Sequence, residues 1–193
     1  MACIDCWFVI IQIDNYSLVD MVQNTYKGKC VIIGDSAVGK TSLISCFVEH
    51  KFPTDYLPTI GTNLYVKEVQ VSDNLVFQMT CWDIAGEKKW TVMRKLYYKG
   101  ATGVFMVADL TRPDTFESLK NYWLNDFMQH CENIPVILLA NKDDLKSAVD
   151  ETYIKKLMND INAIAYFKTS AKSEKNVNEA FLTLVNAMLK RNP

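Results

Sequence analysis

Apolar residues in this chain come in short dense runs separated by stretches with helical spacing. The runs at 29–33, 64–71, 75–83, 103–109, 135–141 and 165–169 are rich in branched and aromatic residues and predict strands. The fourth and fifth are apolar almost throughout rather than alternating, as strands covered on both faces are. Ser72-Asp73-Asn74, between the second and third runs, is a turn signal, so those two predict an antiparallel hairpin. Residues 41–49 read as a helix. Val177, Ala180, Phe181, Leu184, Val185, Met188 and Leu189 line one face of another. Pro113 followed by Asp114-x-x-Glu117 resembles a helix start. Strands alternating with helices predict an α/β fold. The expected architecture is a mostly parallel six-stranded sheet with one antiparallel edge hairpin strand and helices on both faces. Such sheets bind ligands at the carboxyl ends of their strands.

Composition adds limits. The chain has 193 residues, 49% hydrophobic and 22% charged, which suits one globular domain with a full core. That domain is expected over 27–190, after an N-terminal extension at 1–26. The extension carries Asp5, Asp14 and Asp20 but no Lys or Arg, so it is not a signal peptide. Residues 7–11 favour a strand, and Met21 is a second candidate start. The net charge of −1 gives no electrostatic reason to expect nucleic acid as a partner. No apolar run approaches the roughly 18 residues of a membrane helix. Cys30, Cys46, Cys81 and Cys131 read as reduced thiols of a cytoplasmic protein, several inside apolar patterns. Cys3-x-x-Cys6 has no second pair and no nearby His to complete a metal site.

Candidate chemistry sits where the strands end. Gly34-Asp35-Ser36-Ala37-Val38-Gly39-Lys40-Thr41 reads G-x-x-x-x-G-K-[ST], between a predicted strand and a predicted helix. A tight Gly loop at a helix N-terminus aims backbone N–H groups and the helix dipole at one point, which holds a phosphate. Lys40 can neutralise the outer phosphates; the Thr41 hydroxyl, with Ser42 beside it, can ligate Mg²⁺. Asp83-Ile84-Ala85-Gly86 ends the third strand. Its carboxylate suits Mg²⁺, and the Gly86 N–H can approach a terminal phosphate. Asn141-Lys142-Asp143-Asp144 ends the fifth. The Asp144 carboxylate can accept from the N1–H and N2 amino group of guanine and would be left unpaired by adenine. Thr169-Ser170-Ala171-Lys172 ends the sixth and can support the same base.

With these motifs in this order, the chain resembles a small GTPase of the Ras superfamily, and within it the Rab family. The resemblance covers 27–190. Its Rab-like details are Pro58-Thr59-Ile60-Gly61, Trp82 before Asp83, and Tyr97-Tyr98-Lys99-Gly100-Ala101. It implies a three-layer P-loop NTPase G domain that binds GTP or GDP with Mg²⁺. By the same resemblance, Thr59 in switch I is a second Mg²⁺ ligand, Phe52 packs on the guanine and Tyr56 covers the phosphates. Lys40, Gly86 and Glu87 are the catalytic candidates. Exchange factors, GTPase-activating proteins and effectors would engage switch I, around Thr59, and switch II, the segment after Gly86, possible membranes being the cytosolic faces of endomembranes.

The chain also departs from the family. Glu87 stands where Gln normally orients the attacking water, and a carboxylate cannot donate as an amide does. Slow intrinsic hydrolysis is therefore expected, with a GTP-holding scaffold as the alternative. Ile84 replaces the usual Thr, and Ala37 the usual Gly. Lys88-Lys89-Trp90 replaces Glu-Arg-Phe, and Leu64 a Phe that helps to read effectors. No prenylatable cysteine follows Cys131, so membrane association would need a lipidated tail beyond residue 193. An adenine-specific P-loop kinase is the third reading, and Asn141–Asp144 argues against it.

Overall fold

A six-stranded sheet of order β2-β3-β1-β4-β5-β6 forms the middle layer. The strands are β1 (Asn24–Ile33), β2 (Thr62–Ser72), β3 (Leu75–Ile84), β4 (Gly103–Asp109), β5 (Val136–Asn141) and β6 (Ala165–Thr169). This computed structural model describes residues 24–53, 57–131 and 133–191. Tyr56, the predicted strand at 7–11 and the Cys3/Cys6 pair lie outside the described residues. All strand pairs are parallel except β2 with β3, whose antiparallel hairpin turns at the predicted Ser72-Asp73-Asn74 and carries a register shift between Gln70 and Ser72. β1 opens earlier than its apolar run, because Asn24, Thr25 and Tyr26 pair with Leu75, Val76 and Phe77.

Helices cover both faces, and alternate strand residues feed two separate cores. Cys30 and Ile32 of β1, Phe105 and Val107 of β4, and Ile137 and Leu139 of β5 face α1 (Lys40–Glu49) and α6 (Val177–Leu189). The predicted face of α6 lies in this core, with Phe181 stacked on Phe47 at 4.0 Å and tilted on Phe105 at 4.6 Å. Val31 and Ile33, Val104 and Met106, and Val136 and Leu138 face the other way, toward Tyr98 of α2 (Thr91–Tyr98) and Ile154 and Leu157 of α5 (Glu151–Asp160). The same core takes α3 (Pro113–Ser118), a π-helical turn (Leu119–Trp123) and α4 (Leu124–Met128), which run on as one rod. Helix α3 starts where Pro113 predicts, with proline in its first turn. Asp114 is not its cap, however: Arg112 occupies the N-cap position and Asp114 lies inside the first turn, so no capping box forms. Cys30, Cys46, Cys81 and Cys131 are free and buried, as small hydrophobes are. Among the described residues no helix is long and apolar enough to cross a membrane.

Candidate functional site

Strand β1 delivers the Gly34–Thr41 loop to the centre of the sheet, where its neighbours diverge to β3 on one side and β4 on the other. In parallel α/β sheets that divergence opens a crevice at the carboxyl ends. Here it is a cleft of about 450 Å³, within the usual range for small-molecule sites.

The loop folds tightly for two local reasons. Gly39 has φ 97°, and a Cβ on it would come within 2.3 Å of Asn141 Nδ2. Gly86 lies so close to the loop that a Cβ would meet the backbone of Asp35 and Ser36 at 2.4 Å. Gly86 is thus needed to seat the following segment on the phosphate loop itself. Ala37 occupies φ 62°, the left-handed region that suits glycine and strains alanine. Lys40 Nζ donates to the carbonyls of Gly34 and Asp35 at 2.8 and 2.7 Å, arching over the loop and leaving its third N–H for an anion. Burial pushes its pKa down to about 8, against the pull of Asp83 and Asp35.

Beside it, three oxygen groups converge. Thr41 Oγ1 donates to Asp83 Oδ2 at 2.6 Å, Thr59 Oγ1 donates to the same oxygen at 3.2 Å, and the two hydroxyls are 3.0 Å apart. Asp83 Oδ1 is buried without a hydrogen-bond partner among the described residues. Burial raises the Asp83 pKa even though Thr41, Lys40 and Thr59 pull the other way. An orphaned buried carboxylate oxygen beside two hydroxyls is a hard-oxygen donor set that fits Mg²⁺.

The base-reading motifs meet the loop from the other side. Asn141 Nδ2 donates to Val38 O at 2.9 Å while its Oδ1 accepts from Thr169 Oγ1 at 3.2 Å. Ser170 Oγ donates to Asp144 Oδ1 at 2.7 Å, and Ser173 N donates to Ser170 Oγ at 3.1 Å, which fixes the carboxylate's direction. Ser36, Ala37, Gly39, Lys40, Thr41, Ser42, Phe52, Thr59, Gly86, Glu87, Asn141, Lys142, Asp144, Ala171 and Lys172 all line the cleft. Gly34, Asp35, Val38, Asp83 and Ser170 stand behind it and hold those that do.

Three side chains at the site escape a motif search. Asp109, at the end of β4, is in register with Asn141. Its Oδ2 pairs with Lys142 Nζ at 2.7 Å and Arg112 Nε at 3.1 Å, while Arg112 Nη2 donates to Ser36 O at 2.9 Å. Burial alone would raise the Asp109 pKa; its bonds from Lys142 and Thr111 outweigh that and hold it below the usual value. The signal available was position, a polar residue closing an apolar strand. Trp123 belongs to no motif, yet its Nε1 donates to Asp35 Oδ1 at 2.7 Å, beside Ser118 Oγ at 2.8 Å. Arg94, in a stretch rich in cations, is fully buried. At Glu87 the carboxylate pairs with Lys89.

A profile of the Ras family matches residues 29–190, most of the chain. The protein belongs to the Ras family. The GTPase is 36% identical over 176 residues to Ras-related protein Rab-32B of Dictyostelium discoideum, a match covering 88% of this chain and 66% of that protein, just under two thirds. It is 35% identical over 167 residues to Ras-related protein Rab-7L1 of Rattus norvegicus, covering 83% and 81%. Against Ras-related protein RABG3c of Arabidopsis thaliana it is 37% identical over 174 residues, covering 86% and 84%. It is thus a Rab-like small GTPase, of a family that binds GTP and GDP with Mg²⁺ and hydrolyses GTP.

Proposed function

We propose that this GTPase is a nucleotide-dependent switch that uses residues 27–190 as its G domain and acts at the cytosolic face of endomembranes. One observation carries the site assignment: the Asn141 amide bonded to Val38 O, which joins the base-reading loop to the phosphate loop in one cleft. In this reading Asp144, set by Ser170, accepts from the guanine N1–H and N2 amino group, and adenine leaves it unpaired. Phe52 and the aliphatic stem of Lys142 flank the base. The loop N–H groups and Lys40 hold the phosphates and stabilise charge on the transferred phosphoryl group. Thr41, Thr59 and Asp83 would hold Mg²⁺, which would supply neutralisation of phosphate charge. Thr59 and Gly86 sense the γ-phosphate, so its loss releases both switch segments. Leu57, Ile60, Leu64, Val66, Val92 and Leu96 are exposed along switch I, β2 and switch II. Apolar side chains gathered on the segments that order with GTP suit effectors and regulators.

Competition tests the base: ATP should fail to displace labelled GDP at concentrations where GTP displaces it fully, and equal displacement by both defeats the assignment. Glu87 supports a second reading, a module that holds GTP and turns it over slowly. Its carboxylate cannot donate to a phosphate oxygen and is paired with Lys89. Single-turnover hydrolysis should rise in Glu87→Gln, and an unchanged or lower rate rejects this reading of Glu87.

A further inference from the structure

We propose that Arg94 is a positioning residue for hydrolysis, tying switch II to the same π-helical turn that props the phosphate loop. The proposal rests on the nucleotide reading above and concerns what fixes the Gly86–Glu87 backbone within it. Arg94 has no exposed surface. Its guanidinium lies 4.1 Å from the ring centre of Trp123 and 5.3 Å from that of Tyr122. Nη1 donates to Tyr122 Oη at 2.8 Å and to Asp126 Oδ2 at 3.2 Å, and Tyr98 Oη donates to that same carboxylate oxygen at 2.7 Å. Nη2 donates to the carbonyl of Glu87 at 2.9 Å. Nε is buried with no partner among the described residues.

Packing alone does not call for this arrangement. Taking a guanidinium out of water is costly, and an apolar chain of similar volume fills such a space as well or better. What the guanidinium adds is direction. Its fork is planar and rigid, so seating it on two rings and one carboxylate fixes where Nη2 points. That point is the first carbonyl of switch II, which also accepts from Trp90 N at 3.2 Å to open the 3₁₀ turn at Lys88–Trp90. Holding the Glu87 carbonyl holds the backbone directly after Gly86, the residue packed on Asp35 and Ser36 whose N–H meets the γ-phosphate in this reading, so the contact depends on the backbone and not on the Glu87 carboxylate.

The other end of the connection is the phosphate loop. Trp123, the ring under Arg94, donates its indole N–H to Asp35, two residues before the strained Ala37. Switch II, held by Arg94, and the phosphate loop, held by Trp123, are therefore tied to two side chains that lie against each other. A π-helical turn spends a residue without advancing the rod, and such turns commonly mark functional positions. Here it sets Tyr122 and Trp123 side by side against Arg94, their rings 5.4 Å apart.

The test uses the full chain loaded with GTP. In Arg94→Met, single-turnover hydrolysis should slow at least tenfold while the GDP dissociation constant stays within threefold of wild type. Amide exchange over 87–91 should quicken in the GTP-loaded variant, with α6 unchanged. Tyr122→Phe keeps the ring and removes one anchor; it should slow hydrolysis about threefold and serves where Arg94→Met folds poorly. Hydrolysis and exchange at wild-type values in both variants would overturn the role of Arg94. Loss of nucleotide affinity in step with hydrolysis would also overturn it, since that marks a merely structural residue. Wild-type protein that binds no GTP defeats the nucleotide reading itself, and this assignment with it.

Discussion

At alkaline pH, GDP binding to nucleotide-free protein should draw a proton from solution, and Lys40 sets the size of the effect. Its ammonium is buried in the loop, and that burial brings its pKa from 10.5 to about 8. At pH 9 only ~0.1 of the lysines then carry a proton. Bound phosphates beside Nζ favour the charged form and return its pKa toward or above the ordinary value. Binding at pH 9 should accordingly take up ~0.9 proton per nucleotide, falling to ~0.1 at pH 7. The same displacement bears on stability. The unfolded chain holds this proton up to about pH 10.4 and the fold releases it near 8, so the penalty is full below 8 and fades as pH climbs between the two values. Calorimetry at pH 7 and 9, in buffers of different ionisation enthalpy, reads the uptake directly. Lys40→Arg, charged throughout, is the comparator: it should show only the smaller uptake of the guanine N1–H that Asp144 binds, and the difference from wild type is the share of Lys40. A difference between wild type and Lys40→Arg below about 0.2 proton at pH 9 would mean that the buried lysine keeps its charge, and would refute the argument.

Other outcomes follow from individual contacts. Ala37→Gly relieves a left-handed alanine and should stabilise by about 1 kcal/mol, raising Tm by roughly 2–4 °C at fixed nucleotide concentration; an unchanged or lower Tm denies the strain. Ser170→Ala removes the donor that orients Asp144 and should weaken GTP binding about fivefold in a displacement assay, close to 1 kcal/mol for one hydrogen bond. Asp109→Ala frees both Lys142 and Arg112, and labelled GDP should leave at least tenfold faster; wild-type release would show that the strand-end carboxylate is not part of the support.

Much of the fold was legible because burial on both faces leaves an unmistakable pattern. Strands β4 and β6 have the bounds expected, and the one antiparallel pair turns where Ser72-Asp73-Asn74 placed it. What escaped was decided at a distance. Asn24 to Tyr26 carry no strand pattern of their own and are strand because Leu75 to Phe77 lie beside them. The π-helical turn at Leu119–Trp123 has no local signature, since its neighbours on both sides are ordinary helix. At the site, residues within a motif could be read because their chemistry repeats at fixed spacing. Arg94 could not: within Lys88–Lys95 it looks like one more surface cation, and it is Tyr122, Trp123 and Asp126, some thirty residues on, that enclose it. Gly86 was expected for its approach to a phosphate, and the structure adds its contact with the backbone of Asp35 and Ser36.

The bond from Asn141 to Val38 O crosses 103 residues of chain. During synthesis, the phosphate loop leaves the ribosome long before β5, and the residues beside Asp144 come later still. A chain that stops before Lys172 lacks part of the cleft, so ligand capture becomes a report that the entire sheet has closed. A ligand held only by the finished domain also acts as its fastener, raising apparent stability with its own concentration. In a cell rich in guanine nucleotide, a newly made molecule would thus be rewarded for completion at a single late step, and a truncated one would never be.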